Sequence, residues 1–459
     1  MRTTQIFYAS SLYGIATLAA AIDSGFFPPA DRRLLLVSNN ARTPETSPAP
    51  DTAPGFERLR GRFDGVVSWN EAIAPFHPGG WSPRRDDLPL WERYLRLRWG
   101  LGDDRIALAV ESVQVAPALT VAQLFPDAPV DVYADGLMSY GPTRDAIDPL
   151  VGERVRRLLH LDLVPGLEPL LLAEFGVRPE VVPAEAFREV IAELAEAAPP
   201  GGGEEEGEGA VLLLGQYLAA LGILTPQEEE DLHLRMMWAA VERGHRRIVF
   251  KPHPTAPASW TRALELSAAD LGVELSVRAE PVLAEVVYRR ARPALVVGCF
   301  STALLTANAF YGIPVARIGT EPLLDRLTPY QNSNRIPLTI VDALVPEVSG
   351  KPDGTDRTGG AGGTGGTDGT GGTDRVLTVD ELTGLVKAVG FAMQSRIRPD
   401  LRGPAEEFLA TRLDARTLRY FKRRRLTALG LPGGAPVPRG AAVRKMVRGA
   451  RRLRRAALR

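Results

Sequence analysis

Cysteine and histidine are scarce in this sequence, which has one of the former and five of the latter in 459 residues. The single thiol, Cys299, excludes an internal disulfide and a multi-cysteine zinc site, and we expect it to be an ordinary buried cysteine. No D-x-D motif occurs and no histidines are spaced as metal ligands, so the sequence predicts no metal or other cofactor. A sugar transferase of this composition would suit a donor with one phosphate, which carries less charge to neutralise.

Long apolar runs are also missing. No stretch reaches the roughly 18 apolar residues that cross a bilayer. The apolar patch near the N-terminus is interrupted by Ser10, Ser11, Tyr13 and Gly14, so it lacks the continuous core of a signal peptide. These absences predict a cytoplasmic protein.

The formal net charge of zero conceals a strong asymmetry. No acidic residue follows Asp414, whereas fifteen Lys and Arg do, which leaves residues 1–414 with a formal charge of −15. Residues 439–459 combine an apolar stripe at helical spacing with nine basic residues, a pattern typical of an amphipathic helix on anionic lipid. We therefore expect peripheral contact with the inner face of a membrane and no nucleic-acid partner, although a solvated tail or a nucleic-acid contact would explain the same pattern.

Short β-rich runs alternate with segments long enough for helices. In the first half these runs are 5–8, 34–37, 65–68, 106–110 and 130–133. In the second half they are 211–214, 247–250, a run near Leu275, 294–297 and 314–318, with helices over about 226–242 and before Leu271. This alternation indicates two Rossmann-like, doubly wound α/β domains with parallel sheets.

Composition predicts where the domains begin and end. Residues 196–210, EAAPPGGGEEEGEGA, supply almost no large apolar side chain and predict a linker between domains of residues 1–195 and 211–345. Residues 346–376 are of low complexity and are predicted to be a disordered insertion. Residues 377–430 are predicted to form C-terminal helices, and 431–459 the basic tail.

Polar residues that directly follow strands are the candidates for chemistry, because ligands bind at the carboxyl ends of parallel strands. Asp135 follows the strand 130–133 beside Gly136 and is a candidate general base, although a turn or helix cap explains such an aspartate equally well. Lys251 and His253 follow the strand 247–250 in RIVFKPHP, where prolines restrict the backbone. Both side chains suit a phosphate.

Two further stretches follow strands of the second half. The strand 294–297 runs through Gly298 to Ser301 and Thr302 at the start of a helix, where hydroxyls and free N–H groups form an anion site or serve only as an N-cap. Gly215 and Gln216 end the strand 211–214 and could approach a nucleotide base or the acceptor.

Taken together, these motifs resemble those of bacterial sialyltransferases, and most closely the bacterial α-2,8-polysialyltransferase-like family. Its signatures are an acidic D/E-D/E-G turn, a His-Pro pair after a strand and a Ser-Ser/Thr pair. They stand here as Tyr133-Ala134-Asp135-Gly136, Lys251-Pro252-His253-Pro254 and Phe300-Ser301-Thr302. Order and domain placement match over most of residues 1–345, and the similarity does not extend into 430–459.

The resemblance implies a GT-B fold that transfers sialic acid from CMP-sialic acid to a glycan acceptor, with inversion and without a metal. Asp135 would be the base for the acceptor hydroxyl, and His253 would stabilise or protonate the departing CMP phosphate. Ser301, Thr302 and Lys251 would hold that phosphate. Glu285 would grip the ribose hydroxyls, although a surface helical glutamate would explain it as well.

One departure from the family pattern and two competing functions complete the prediction. The first acidic position of the turn is Ala134. The family's base is usually the second acid, which is present here as Asp135, so the resemblance is compatible with activity and leaves a changed acceptor open. A CDP-glycerol-type glycerophosphotransferase would share the GT-B fold and a His-Pro-like phosphate motif. A catalytically inactive membrane-surface protein would keep the cleft without the reaction.

Overall fold

The computed structural model describes residues 1–134, 136–198, 209–253, 258–348 and 376–435. Several predictions fall outside these residues: the role of Asp135, most of the linker 196–210, most of the insertion 346–376 and the amphipathic helix in 439–459. The domain boundaries therefore stay predictions.

Seven parallel strands form the first sheet, in the order β3-β2-β1-β4-β5-β6-β7. They are β1 (Thr3–Ala9), β2 (Arg32–Val37), β3 (Gly65–Ser68), β4 (Arg105–Glu111), β5 (Val130–Tyr133), β6 (Val155–Leu161) and β7 (Arg178–Val182). Central strands are buried on both faces because helices cover both sides of the sheet. The strand order changes direction between β1 and β4, which is the topological switch point where α/β sheets bind ligands.

Seven helices accompany this sheet in the described part of the first half. They are α1 (Leu12–Asp23), α2 (Phe56–Arg60), α3 (Trp69–Ile73), α4 (Leu88–Arg98), α5 (Ala118–Leu124), α6 (Pro149–Gly152) and α7 (Ala184–Ala197). The Ser11 hydroxyl caps α1 by accepting a hydrogen bond from the Gly14 N–H at 3.0 Å. This cap fixes the turn from β1 into α1 at the switch point.

Five parallel strands form the second sheet, in the order β10-β9-β8-β11-β12. They are β8 (Val211–Leu214), β9 (Arg247–Lys251), β10 (Glu274–Val277), β11 (Leu295–Gly298) and β12 (Val315–Arg317). The switch point of this sheet lies between β8 and β11. The two sheets confirm the predicted fold class of two Rossmann-like, doubly wound units.

The remaining helices cover the second sheet and complete the described chain. They are α8 (Pro226–Glu242), α9 (Ala258–Leu271), α10 (Ala284–Ala291), α11 (Thr302–Tyr311), α12 (Thr320–Arg326), α13 (Arg335–Leu344), α14 (Val379–Gln394), α15 (Arg402–Arg412), α16 (Ala415–Leu418) and α17 (Arg423–Leu429). A capping box of Thr225 and Glu228 begins α8, and one of Thr378 and Glu381 begins α14. Local sequence therefore sets where the longest helices start.

Contacts outside the sheets join the two halves of the chain. The Arg290 guanidinium of α10 donates to the carbonyl of Ala198 at 2.7 Å, beyond the end of α7. The Arg398 guanidinium donates to the carbonyl of Leu170 at 3.2 Å, so the segment after α14 packs back on the first half. Cys299 is a buried free thiol, as expected, and burial raises its pKa.

The strands predicted from the sequence are all present, with ends shifted by a few residues. The first sheet also has β6 and β7, which the sequence analysis missed. Two arginines break the apolar pattern of β6; Arg156 and Arg157 pair with the buried Asp131 of β5 at 2.6 and 3.2 Å. At the sheet edge, β7 contains Pro179 and is mostly exposed.

Candidate active site

A cleft of about 480 Å³ lies between the carboxyl ends of the two sheets. One wall comes from the first half and is formed by Ser11, Tyr13, Glu111, Leu137 and Met138. The other wall belongs to the second half and includes Gly215 to Leu218, His253, Glu285 and Phe300 to Ala303. Both topological switch points therefore open into one cleft, which is where a doubly wound fold binds its ligands.

Gly215 is a glycine because the chain that carries His253 passes against it. The Gly215 N–H donates to the Lys251 carbonyl at 2.8 Å. A Cβ at residue 215 would lie 2.9 Å from both the His253 nitrogen and the Pro252 Cα, closer than side chains approach. The missing side chain lets the ends of β8 and β9 come together, and this close contact determines where His253 lies in the cleft.

The His253 imidazole stacks on the Tyr217 ring, with centroids 4.1 Å apart and planes 24° apart. Burial, with a smaller effect from the neighbouring Lys251 cation, lowers the pKa of His253 to about 4. The ring is therefore neutral at pH 7 before a ligand arrives. A neutral imidazole both donates and accepts hydrogen bonds, and an anionic ligand would favour its protonation.

Two buried residues of α8 hold the loop that carries Tyr217. The Glu229 carboxylate accepts from the N–H groups of Leu218 at 2.8 Å and Ala219 at 2.7 Å. The His233 Nε2 accepts from the Gln216 N–H at 3.1 Å. Glu229 and His233 are four residues apart on one helical face, so α8 fixes the whole loop after β8.

Burial perturbs both side chains of this clamp. It raises the pKa of Glu229, against the effect of the two N–H donors, and lowers the pKa of His233 to about 4. Sequence analysis missed them because neither follows a strand. The signal available was a glutamate and a histidine at i and i+4 on the otherwise apolar face of a helix.

Gln216 lines the cleft and is largely buried. Its backbone N–H is engaged by His233, and its side-chain amide lies 3.4 Å from the Gly215 carbonyl. The structure thus brings the predicted pair Gly215 and Gln216 beside His253.

Lys251 lies behind the cleft wall rather than on it. Its side chain is buried, and its ammonium donates to the Glu280 carbonyl at 3.3 Å. Burial lowers the pKa of Lys251 to about 8, against the opposing effect of Glu280 and Glu285. Lys251 is therefore not among the residues that line the cleft, and its predicted contact with a phosphate stays a prediction.

Glu285 lines the cleft from α10 and is only 3% exposed, which rules out the alternative of a surface helical glutamate. The Thr306 hydroxyl donates to its Oε1 at 2.6 Å. Burial raises the pKa of Glu285, whereas the Thr306 hydrogen bond and Lys251 act in the opposite direction. The carboxyl group is thus fixed in place by α11 and coupled to Lys251.

Ser301 and Thr302 lie at the start of α11 and line the cleft. The Ser301 hydroxyl accepts from the Ala303 N–H at 3.2 Å, so it does serve as the N-cap. The Thr302 Oγ1 lies 3.5 Å from the Leu137 nitrogen of the opposite wall. The helix start that is expected to bind an anion therefore touches the first half of the chain.

The acidic turn is described on either side of Asp135. Ala134 is buried, and its N–H donates to the Leu159 carbonyl at 2.8 Å. Gly136 has φ of +135°, and a Cβ there would lie 2.7 Å from the Thr302 Oγ1. Asp135 itself lies outside the described residues, so its role as base stays a prediction.

A further carboxylate, missed by the sequence analysis, lies at the switch point of the first sheet. Glu111 ends β4, lines the cleft, and accepts hydrogen bonds from Ser10 and Tyr133. The sequence signal was a glutamate directly after the apolar run of β4, the same rule that selected Asp135.

No group of three or more His, Cys, Asp or Glu side chains that could hold a metal ion occurs among the described residues. That transfer needs no metal stays a prediction.

Two Rossmann-like units that share one cleft at their switch points define a GT-B architecture. The family model for alpha-2,8-polysialyltransferase (POLYST) matches residues 5–320. The chain therefore belongs to the α-2,8-polysialyltransferase family, as the motifs predicted. No curated protein sequence matches it.

Several solved structures with low sequence identity are similar to this chain. The GT-B domain of a sialyltransferase from Photobacterium damselae has a TM-score of 0.36 and 11% identity, over 73% of this chain and 95% of that one. A putative UDP-N-acetylglucosamine 2-epimerase from Listeria monocytogenes has a TM-score of 0.42 and 8% identity, over 69% and 79%. MurG from Acinetobacter baumannii has a TM-score of 0.38 and 12% identity, over 75% and 85%.

Within the described ranges, no helix combines the length and apolarity needed to cross a membrane.

Proposed function

We propose that this protein transfers sialic acid, or a related nonulosonic acid, from a CMP-activated donor to a hydroxyl of a glycan acceptor. The observation that carries the proposal is the imidazole of His253, stacked on Tyr217 in the same cleft as the start of α11. A leaving phosphate needs a nearby donor that becomes cationic as charge develops, together with free N–H groups. His253 supplies the first, and the N-terminus of α11 supplies the second.

The donor would occupy the wall formed by the second half. Its phosphate would lie between His253 and the hydroxyls of Ser301 and Thr302, with the buried Lys251 cation behind. Glu285 would accept hydrogen bonds from the ribose hydroxyls. The cytosine base of the donor would lie near Gly215 and Gln216, which line the same wall.

The reaction would be a single displacement without a metal. The acceptor oxygen forms a bond to the anomeric carbon as the bond from that carbon to the phosphate oxygen breaks, which inverts the configuration. Asp135 would take the proton of the acceptor hydroxyl. His253 would take a proton from solvent when the anionic donor binds, and the cationic ring would donate a hydrogen bond to the phosphate of the departing CMP. Repeated transfer to the product would give a polymer.

Release of CMP from CMP-sialic acid tests this proposal. We expect wild-type turnover with an added glycan acceptor, and loss by about 10²- to 10⁴-fold in His253→Gln and Asp135→Asn, the range for removing a general acid or base. His77→Gln is the matched control, since His77 precedes a proline in an exposed loop. Full activity of His253→Gln would contradict the proposal.

Ligand-dependent thermal shifts test the donor. CMP-sialic acid and CMP should stabilise the protein, because a ligand that binds only the folded state raises its melting temperature. Stabilisation by CDP-glycerol instead would support the glycerophosphotransferase predicted as the competing function.

We also propose that residues 439–459 hold the enzyme at an anionic membrane surface, on the inner face in the cytoplasm. The nine basic residues and the apolar stripe of that segment support this proposal. Sedimentation with anionic liposomes should carry down the full chain and leave a chain lacking 439–459 in solution. Equal behaviour of the two chains would contradict it.

A further inference from the structure

Glu111 lies where the first sheet changes strand order. It is the last residue of β4, and Ser10 directly follows β1, the strand beside it. The Ser10 N–H donates to Glu111 Oε2 at 2.9 Å, and the Ser10 hydroxyl lies 2.8 Å from Oε1. The two strands on either side of the switch point are thus joined through this carboxylate.

A third donor reaches Glu111 from the other neighbouring strand. Tyr133 lies opposite Glu111 in the register of β4 and β5, and its hydroxyl is 3.3 Å from Oε2. The same hydroxyl is 3.0 Å from the Tyr8 carbonyl of β1. Donors from the turn after β1 and from β5 therefore fix the orientation of the carboxylate, which is the requirement for positioning a substrate group.

The position of Glu111 relative to the acidic turn suggests its purpose. Ala134 follows Tyr133, so the turn has a buried methyl group where the family pattern has an acid. Glu111 lies on the adjacent strand, about 4.8 Å away across the sheet and one residue, about 3.3 Å, earlier in register. Glu111 therefore lies next to the acidic turn, on the face of the sheet that carries Tyr133, whereas Ala134 packs on the opposite face.

We propose that Glu111 binds the acceptor in this cleft, its carboxylate accepting a hydrogen bond from a hydroxyl of the glycan. This inference rests on the proposed function. Glu111, Ser11 and Tyr13 line the wall of the first half, opposite the wall that carries His253 and Ser301. The donor phosphate is assigned to that opposite wall, so the hydroxyl-bearing substrate is left with the wall of Glu111.

Glu111→Gln tests the inference, with CMP-sialic acid as donor and lactose or an α-2,8-linked sialic acid trimer as acceptor. Gln is isosteric and keeps one acceptor oxygen, but it lacks the charge that strengthens the hydrogen bond. We expect kcat/KM for the acceptor to fall by about 10- to 100-fold, the effect of losing a charged hydrogen bond. The stabilisation of the variant by CMP and its slow hydrolysis of the donor by water should stay within about twofold of the wild-type values, because neither requires a bound acceptor.

Ser10→Ala, Glu111→Asp and a remote control complete the design. Ser10→Ala leaves the charge but removes a donor that orients it, so it should weaken acceptor use by a smaller factor and leave CMP binding unchanged. Glu111→Asp should recover part of the acceptor activity. Glu153→Gln, an exposed change on the same half, should match the wild type.

The outcomes separate this inference from the proposed function. If the wild type shows no CMP-dependent stabilisation and no CMP release, the proposed function fails and the inference with it. If the wild type is active and Glu111→Gln uses each acceptor with the same kcat/KM as the wild type, the inference alone is overturned. A parallel loss of CMP stabilisation in Glu111→Gln and Glu111→Asp would assign Glu111 to structure and also overturn it.

Discussion

The imidazole of His253 and the ring of Tyr217 stack with centroids 4.1 Å apart, although they come from different loops of the second sheet. The segment that carries His253 is fixed by the contact of its backbone with Gly215. The loop that carries Tyr217 is fixed by Glu229 and His233 of α8. The position of the candidate acid therefore depends in part on Glu229 and His233, which do not line the cleft.

CMP binding should change the protonation of His253. Its pKa of about 4 lies below the ordinary 6.5, and a bound phosphate favours the cationic ring. At pH 6 we expect the wild type to take up a larger fraction of a proton on binding CMP than His253→Gln does. Calorimetry in two buffers of different ionisation enthalpy measures the proton uptake of each protein. The titration of the phosphate itself cancels when the uptake of His253→Gln is subtracted from that of the wild type. His77→Gln should behave as the wild type, and equal uptake in all three proteins would contradict the prediction.

The same shift makes stability depend on pH. Between about 4 and 6.5 the unfolded chain binds more protons at residue 253 than the folded one. This histidine therefore costs stability as the pH falls through that window and has no such effect above it. His253→Gln should show a smaller loss of melting temperature than the wild type between pH 6.5 and 4.5, a range that carries most of the effect.

Donor affinity should decline at alkaline pH because of Lys251. Its pKa of about 8 means that the buried cation behind the phosphate site is lost as the pH rises through that value. We expect the dissociation constant for CMP to rise above pH 8, and Lys251→Met to bind about tenfold more weakly at pH 7 with no further alkaline loss. Lys387→Met on α14 is the control. A wild-type affinity that is constant from pH 7 to about 9.5 would contradict the prediction.

Gly215→Ala should disrupt the donor site. The new Cβ would lie 2.9 Å from backbone atoms of residues 252 and 253, which cannot move as a flexible side chain would. We expect a loss of about 1 to 3 kcal/mol in the free energy of unfolding and a much weaker thermal shift with CMP. Gly403→Ala, in exposed α15 with nothing within 4 Å of its Cβ, should be neutral or slightly stabilising. Urea unfolding of both variants measures the difference.

Gly136→Ala should loosen the contact between the two walls. It forces an alanine to φ of +135° and places its Cβ 2.7 Å from the Thr302 Oγ1. We expect a cost of about 1 to 3 kcal/mol from backbone strain, with activity reduced further. Adding Thr302→Ala should restore the part of the free energy of unfolding that is lost through the contact with Thr302. It should not restore the part lost through the strained φ of residue 136. If the double variant is as unstable as the sum of the two single ones, the two positions do not interact.

Glu229→Gln tests the clamp on the Tyr217 loop. The amide keeps only one oxygen to accept from the Leu218 and Ala219 N–H groups, so one buried donor is left without its partner. We expect a loss of about 1 to 3 kcal/mol in the free energy of unfolding, together with reduced kcat. Glu230→Gln, the next residue on α8, should be close to neutral. Comparing both variants by urea unfolding and by CMP release separates the clamp from general effects of charge.

Much of the fold could be predicted from sequence because it rests on local patterns. Apolar runs such as Val211–Leu214 and the capping box at Thr225 define strands and helices within a few residues. The strands β6 and β7 escaped because their stability depends on neighbours. Arg156 and Arg157 are tolerated in β6 only through the buried Asp131 of another strand.

The candidate site divides in the same way. His253, Ser301 and Gln216 follow strands, and the structure does bring them to one cleft. Lys251 is the last residue of β9, but its ammonium is buried and donates to the Glu280 carbonyl, a contact between segments that are remote in the chain. The clamp residues Glu229 and His233 belong to a helix, so no rule about strand ends could select them.

By itself the sequence determined the class of fold, the family motifs and the set of polar residues at strand ends. It could do so because hydrophobic periodicity, turns at glycine and proline, and helix caps depend on residues close together in the chain. Only the tertiary structure decided which of those residues share the cleft. It placed Glu111 between Ser10 and Tyr133, residues 101 and 22 positions away in the chain. Strand order decides such neighbours, and strand order is fixed by packing between segments remote in sequence rather than by the residues within any one of them.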